Sequence, residues 1–405
     1  MDFFAINKLI MDHLDIKSEE FWMKCTTRQF YQLLESEYSE LGLDSRISSD
    51  FKFAVSLGIQ HIEDVCKICS KKCKIMYRSD RNSCVLRCHN CRYNSSAFDG
   101  TFKGKCGKIS WAAILSFIWH YVGLECTSTN SAVAAGISKK AAVDWCNYIR
   151  FVMLVALYNM TSFKIGGPDK TVEIDETVIC KRKYEKGHKL KSTKWVVGGI
   201  CREDNSCFIC QVNDRSETTL NWIIYKFVNS GSVVITNEWK GYNNIDKLEG
   251  INIEHRTVNH SENFVNLTTG VHTQNIKRLW GYLKNEKNLP KHYTEDLSDS
   301  YMYSFMYKKF LNWPSKNPGE RFYIFIKHLR NIYPGSGKIP IWKEPESVPS
   351  PPVSINKEKG KKENGNKGKL TDKMDKNRND KRKSTCKKES TSEKIKRHIK
   401  ETSDQ

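Results

Sequence analysis

Two pairs of cysteines carry the first recognisable chemistry in this sequence. Cys66 and Cys69 form one C-x-x-C, Cys88 and Cys91 form another, and 18 residues separate the pairs. Four thiolates at that spacing suit one tetrahedral zinc ion; the other reading is a set of free buried thiols. Cys73 and Cys84 lie between them, outside any C-x-x-C pair. Further along, three polar positions stand at the ends of regular patterns. Asp175 sits in the alternating run T-V-E-I-D-E-T, Asn237 closes the apolar run V-V-I-T-N, and Lys277 falls within V-H-T-Q-N-I-K-R-L-W-G-Y-L-K, which has a helical period. A carboxylate at a strand end is a ligand for a hard divalent cation. An amide is a weaker oxygen ligand, and a charged lysine has no lone pair to offer.

These positions need elements to hold them. T-V-E-I-D-E-T, W-V-V-G-G-I-C and S-C-F-I-C-Q-V read as three strands, 217–228 as a helix, and V-V-I-T-N-E-W-K-G-Y as a buried strand ending at Asn237. Residues 171–284 are therefore expected to form a small mixed sheet with one crossover and a closing helix. Five pieces occur here in one order: V-E-I-D-E-T with K-R-K-Y-E-K-G-H, W-V-V-G-G-I, I-T-N-E-W-K-G-Y, N-H-S-E-N-F-V and G-V-H-T-Q-N-I-K-R-L-W-G-Y-L-K. In them the chain resembles transposases of the DDE class, in the group of Merlin elements and their bacterial insertion-sequence relatives. Upstream, R-C-H-N-C-R-Y-N-S-S-A-F-D-G-T-F resembles the zinc ribbon that precedes the catalytic domain in that group. Such a ribbon is either a nucleic-acid module or a structural staple.

The resemblance implies an α/β chain. Its core would be a ribonuclease-H-like mixed sheet with flanking helices, preceded by the zinc ribbon and a small helical region. It also implies DNA strand cleavage and transfer by two Mg²⁺ or Mn²⁺ ions held by three carboxylates. Asp175 matches the first carboxylate. The family has Asp where this chain has Asn237, and Glu where it has Lys277. A Lys277 ammonium could fill the vacated metal position and pair with Asp175. Glu176 and Glu238 neighbour the strand ends, but adjacent strand residues point to opposite faces. The expectation is a transposase-derived DNA-binding protein with impaired catalysis, so that Mg²⁺ or Mn²⁺ is expected only if activity survives. The alternatives are an active transposase that uses a substitute carboxylate, and a decaying copy with no selected role.

Several basic groups are candidates for DNA contact. Lys181, Arg182 and Lys183 follow the first strand and either hold phosphates through counterion release or form a solvated hairpin. A short helix at 129–135, Gly136, and a helix capped by Ser138 fit a helix-turn-helix, with Lys139 and Lys140 at the start of its second helix. A plain helical connector is the other reading. By the resemblance, His272 borders the active site, and Lys284 matches the basic residue seven positions after the lost Glu and contacts phosphate.

Charge and composition point the same way. Lys plus Arg number 66 against 46 Asp plus Glu, a net charge of +20, which favours polyanionic partners. Residues 357–405 alone hold 18 basic against 9 acidic groups, with few large apolar residues, so this tail is expected to be disordered. Its Lys381, Arg382, Lys383, Lys387 and Lys388 read as a nuclear import signal, a nonspecific DNA tether or ordinary solvated charge. The 15 cysteines, without a secretory pattern at 1–10, argue for a reducing compartment. The expected location is nuclear in a eukaryote and cytoplasmic otherwise, not secreted. No apolar run reaches 18 residues, so no membrane span is expected. The expected division is a helical region at 1–60, a zinc ribbon at 61–105, a helical segment at 106–165, the core at 166–345 and the tail at 346–405. DNA is the expected partner, with self-association possible.

Overall fold

The computed structural model describes residues 16–79, 83–104, 109–160, 163–178, 195–258, 272–285 and 295–333. The basic run Lys181, Arg182 and Lys183, the N-H-S-E-N-F-V motif and the basic tail lie outside them.

The described chain opens with α1 (Glu19–Lys24), α2 (Thr27–Glu35) and α3 (Ser49–Ser56). Ser18 caps α1, and Thr26 with Gln29 forms a reciprocal capping box on α2, which supplies the N–H groups of the first turns with acceptors. Then β1 (Glu63–Val65), β2 (Lys72–Arg78), β3 (Ser83–Cys88) and β4 (Asn94–Ser96) make an antiparallel sheet in chain order.

Helix α4 (Trp111–Ile118) continues through a π-helical turn to Gly123. It is followed by α5 (Ser128–Ala134) and the long α6 (Lys139–Met160). By length and mean hydropathy α6 would pass as a membrane span. Over half (56%) of its apolar 18-residue window is buried inside the protein, where it serves as a core helix.

The second sheet holds β5 (Thr171–Val178), β6 (Trp195–Cys201), β7 (Cys207–Val212), β8 (Val233–Asn237) and β9 (Glu254–Val258), in the order β7-β6-β5-β8-β9. The first three form an antiparallel meander. The chain then crosses through α7 (Glu217–Phe227), and β8 pairs parallel to β5, with β9 parallel to β8. The mixed sheet with a single crossover helix expected from the sequence is therefore present. Period-two alternation splits β5 between two layers. Val172 and Ile174 pack with Val197, Phe208, Leu220, Ile223 and Ile224 on the α7 side. On the other side, Val196, Ile200 and Ile209 meet α8 (Gln274–Lys284) and α9 (Glu295–Phe310) through Ile276, Leu279, Leu283 and Met306.

The last helix, α10 (Pro318–Ile332), returns to the beginning of the chain. Phe322 packs on Trp22 with ring centroids 5.0 Å apart, and the Tyr323 hydroxyl donates to the Lys17 carbonyl. The first and last described helices thus share one core with α4 and α6.

Candidate functional site

The candidate site lies where β5 meets α8. Glu173, Asp175 and Thr177 alternate onto the α8 face of β5, and each bonds to that helix. Glu173 Oε2 accepts the backbone N–H groups of Asn275 (2.9 Å) and Ile276 (3.0 Å). Trp280 Nε1 donates to Asp175 Oδ2 at 3.2 Å, and Lys284 Nζ donates to Thr177 Oγ1 at 2.6 Å. Two residues along a strand advance about 6.7 Å, and four along a helix about 6 Å. The pairs therefore stay in step, and α8 is bonded lengthwise to the strand that carries Asp175.

Glu173 is the residue that sequence reasoning missed. It is fully buried and also binds Arg202 Nε at 2.7 Å and Asn275 Nδ2 at 2.8 Å. Its anionic charge sits at the positive N-terminal end of α8, where no side chain of Thr273 caps the helix. The signal was available: alternation in V-E-I-D-E-T puts Glu173 on the same face as Asp175. His272 belongs to this anchor. Its Nδ1 lies 3.5 Å from Glu173 Oε1, and its carbonyl accepts Arg202 NH2 at 2.7 Å.

Asn237, at the end of β8, reaches Asp175 as the layout requires. Its Nδ2 donates to Asp175 Oδ1 at 3.3 Å and to Glu176 Oε2 at 3.4 Å, while its Oδ1 accepts the Trp239 N–H at 3.0 Å. Glu176 does point to the opposite face, toward α7, where it binds Arg215 NH1 (3.0 Å) and the Tyr242 hydroxyl (3.1 Å). The amide at the strand end nevertheless touches both carboxylates. Burial raises the Asp175 carboxyl to about 6, and the Glu176 charge adds to the rise. The Trp280 N–H and the nearby Lys277 ammonium act in the opposite direction. Asn237 thus bonds both Asp175 and Glu176, and the Lys277 charge acts on Asp175.

The four cysteines converge as well. The Sγ atoms of Cys66, Cys69, Cys88 and Cys91 all lie within 4.8 Å of one another. A tetrahedral ion with Zn–S bonds of about 2.3 Å sets sulfurs about 3.8 Å apart, so the set can hold a metal ion. Both C-x-x-C segments make the same turn. Ser70 and Arg92, each four residues after the first cysteine of its pair, adopt positive φ and donate back to the Cys66 and Cys88 carbonyls at 2.9 and 3.1 Å. The Lys71 N–H holds the Cys69 thiol down to about 6, which favours the thiolate that a metal needs. Cys73 lies behind the cluster, and burial pushes its thiol up to about 12.

Helices α5 and α6 are joined by a turn at 135–138 in which Gly136 has positive φ, and Ser138 Oγ accepts the Ala141 N–H at 3.2 Å. Lys139 and Lys140 are exposed at the start of α6, beside exposed Val143.

Residues 166–309 match the family profile of the ISXO2-like transposase domain. No curated protein matches the chain. Among solved structures, the simian T-cell lymphotropic virus intasome in complex with PP2A regulatory subunit B56 gamma aligns at 13% identity and TM-score 0.22, over 47% of this chain and 64% of that one. The chain thus spans less than two thirds of that relative. The Mos1 strand transfer complex aligns at 11% identity and TM-score 0.21, over 52% of this chain and 72% of the other. A pre-cleavage Mos1 transpososome gives 9% and 0.21, over 50% and 74%.

Proposed function

We propose that this chain is a DNA-binding protein of transposase origin, from the Merlin group, whose ribonuclease-H-like core no longer cleaves DNA. The observation that carries this reading is the Asn237 amide. Its N–H groups occupy Asp175 Oδ1 and Glu176 Oε2, and its own oxygen is taken by the Trp239 backbone. Asp175 Oδ2 is taken by Trp280, and Lys277 brings a positive charge to the same carboxylate. Two divalent cations need anionic oxygens. Residues that already supply hydrogen-bond donors and an ammonium do not fit a pair of such ions.

DNA contact is assigned to Lys139 and Lys140 on the helix-turn-helix, to the basic run Lys181, Arg182 and Lys183, and to His272 and Lys284 beside the core. A zinc ion held by Cys66, Cys69, Cys88 and Cys91 fixes the ribbon. A second reading is favoured by one contact: Glu176 lies near enough to Asn237 to stand in for a lost carboxylate and keep the transposase active.

Titration of Mn²⁺ into the full chain, followed by electron paramagnetic resonance beside an Asn237→Asp/Lys277→Glu double variant, separates the two. The expected result is two ions bound by the double variant and none near Asp175 in the natural chain, with both chains still binding DNA. Comparable Mn²⁺ affinity in the natural chain would establish the second reading instead.

A further inference from the structure

Trp239 stands two residues beyond Asn237 with 40% of its surface exposed. One exposed apolar side chain is ordinary on a protein surface. This one is fixed on several sides. Its backbone N–H is bonded to Asn237 Oδ1, and its Nε1 donates to the Arg215 carbonyl at 3.1 Å. The Arg215 guanidinium lies 4.1 Å from its ring centroid and 3.7 Å from that of Trp195, and is itself held by Glu176 at 3.0 Å. Gly241 makes the close approach possible: a Cβ there would come within 3.0 Å of Trp239 Nε1 and of the Arg215 carbonyl oxygen. An aromatic plane held this way has already lost its rotamer freedom, so a ligand stacking on it incurs little ordering cost.

We propose that Trp239 is a stacking platform for an unpaired nucleobase of a bound DNA strand. This rests on the reading that the chain binds DNA. The same Asn237 side chain bonds both Asp175 and the Trp239 backbone, so the platform lies one side chain from Asp175. Exposed Lys240 adds positive charge next to the platform. Bases inside a duplex hide their faces. Only a base at a strand end, or one turned out of the stack, can present its face to an indole, and stacking of that kind is tolerant of sequence.

The test uses the full chain and two DNA probes of the same sequence. One is fully paired; the other ends in a short 3′ overhang carrying 2-aminopurine. The natural chain is expected to quench the 2-aminopurine and to prefer the overhang. Trp239→Ala is expected to abolish the quench and to weaken overhang binding roughly 5- to 150-fold while leaving paired DNA unaffected. Trp239→Phe should retain much of both, which excludes simple misfolding.

If the natural chain binds paired DNA but shows neither quench nor preference, or if Trp239→Ala changes neither, the platform is overturned while DNA binding stands. If the natural chain binds no DNA, both readings fall. If Trp239→Ala alters only the sedimentation of the free protein, the indole serves a contact with a second copy, and the platform is again overturned.

Discussion

Asp175 is a carboxyl group held against its preference. Its ionisation is shifted up to about 6, first by burial and then by the charge of Glu176, and Lys277 only partly offsets this. The folded-state value lies above the unfolded one, so the protonated form favours folding. That contribution is complete below the unfolded value near 3.8 and fades as pH rises through about 6. Asp175→Asn removes the ionisation. One of the two oxygens that accept from Asn237 and Trp280 becomes an NH2 group, so the variant loses a bond at every pH. Relative to the natural chain, its stability should still be roughly 2–3 kcal/mol more favourable at pH 8 than at pH 4, which thermal melts at the two pH values would show. An equal effect at both pH values would mean that the residue acts only through its hydrogen bonds. Asn237 and Trp280 both aim N–H groups at this carboxylate.

At the scale of elements, β5 and α8 behave as one piece, and Trp280 is the middle tie. Its indole lies over Gly198, which pairs in register with Asp175; a Cβ there would come within 2.6 Å of the ring. Gly198→Ala should force Trp280 off the sheet, cost about 1–3 kcal/mol and shift the Asp175 titration, since one of the bonds that favours its charge would be lost. Melting and carboxyl ¹³C chemical shifts would report both. Asp175, Asn237 and Lys277 could be singled out because the motifs that carry them resemble those of a known family. The cysteine pairs were legible because ligand spacing is local. The pairing of Glu173 with Arg202 was not, since it spans 29 residues of sequence and depends on how β6 turns back. The stack of Trp195, Arg215 and Trp239 escaped for the same reason: three segments meet there, and no single segment shows a pattern. Strand alternation correctly set Glu176 on the far face, but a strand end has neighbours on both sides.

At the scale of the whole molecule, the cysteine sheet has a small core of its own. Among the described residues its buried cluster holds Cys66, Cys73, Leu86 and Cys88, with Cys69 and Ile75 packed against it, less apolar surface than four short strands need alone. Zinc is expected to supply the difference. Cys69→Ser, or treatment with a strong chelator, should remove one zinc per chain by elemental analysis. Amide exchange protection across 63–96 should disappear while that of β5 persists. Unchanged protection would show that packing against the helices suffices.

The return of α10 onto α1 also has a consequence in time. Synthesis proceeds from the N-terminus, and Trp22 and Phe30 depend on Phe322 for their cover. The first helices must therefore wait for nearly the whole described chain to be made before their aromatic faces are sheltered. A chain released early, by a nonsense change or a frameshift, would leave those faces bare to chaperones and proteases. An intact reading frame through α10 is thus what shelters the aromatic faces of the first helices.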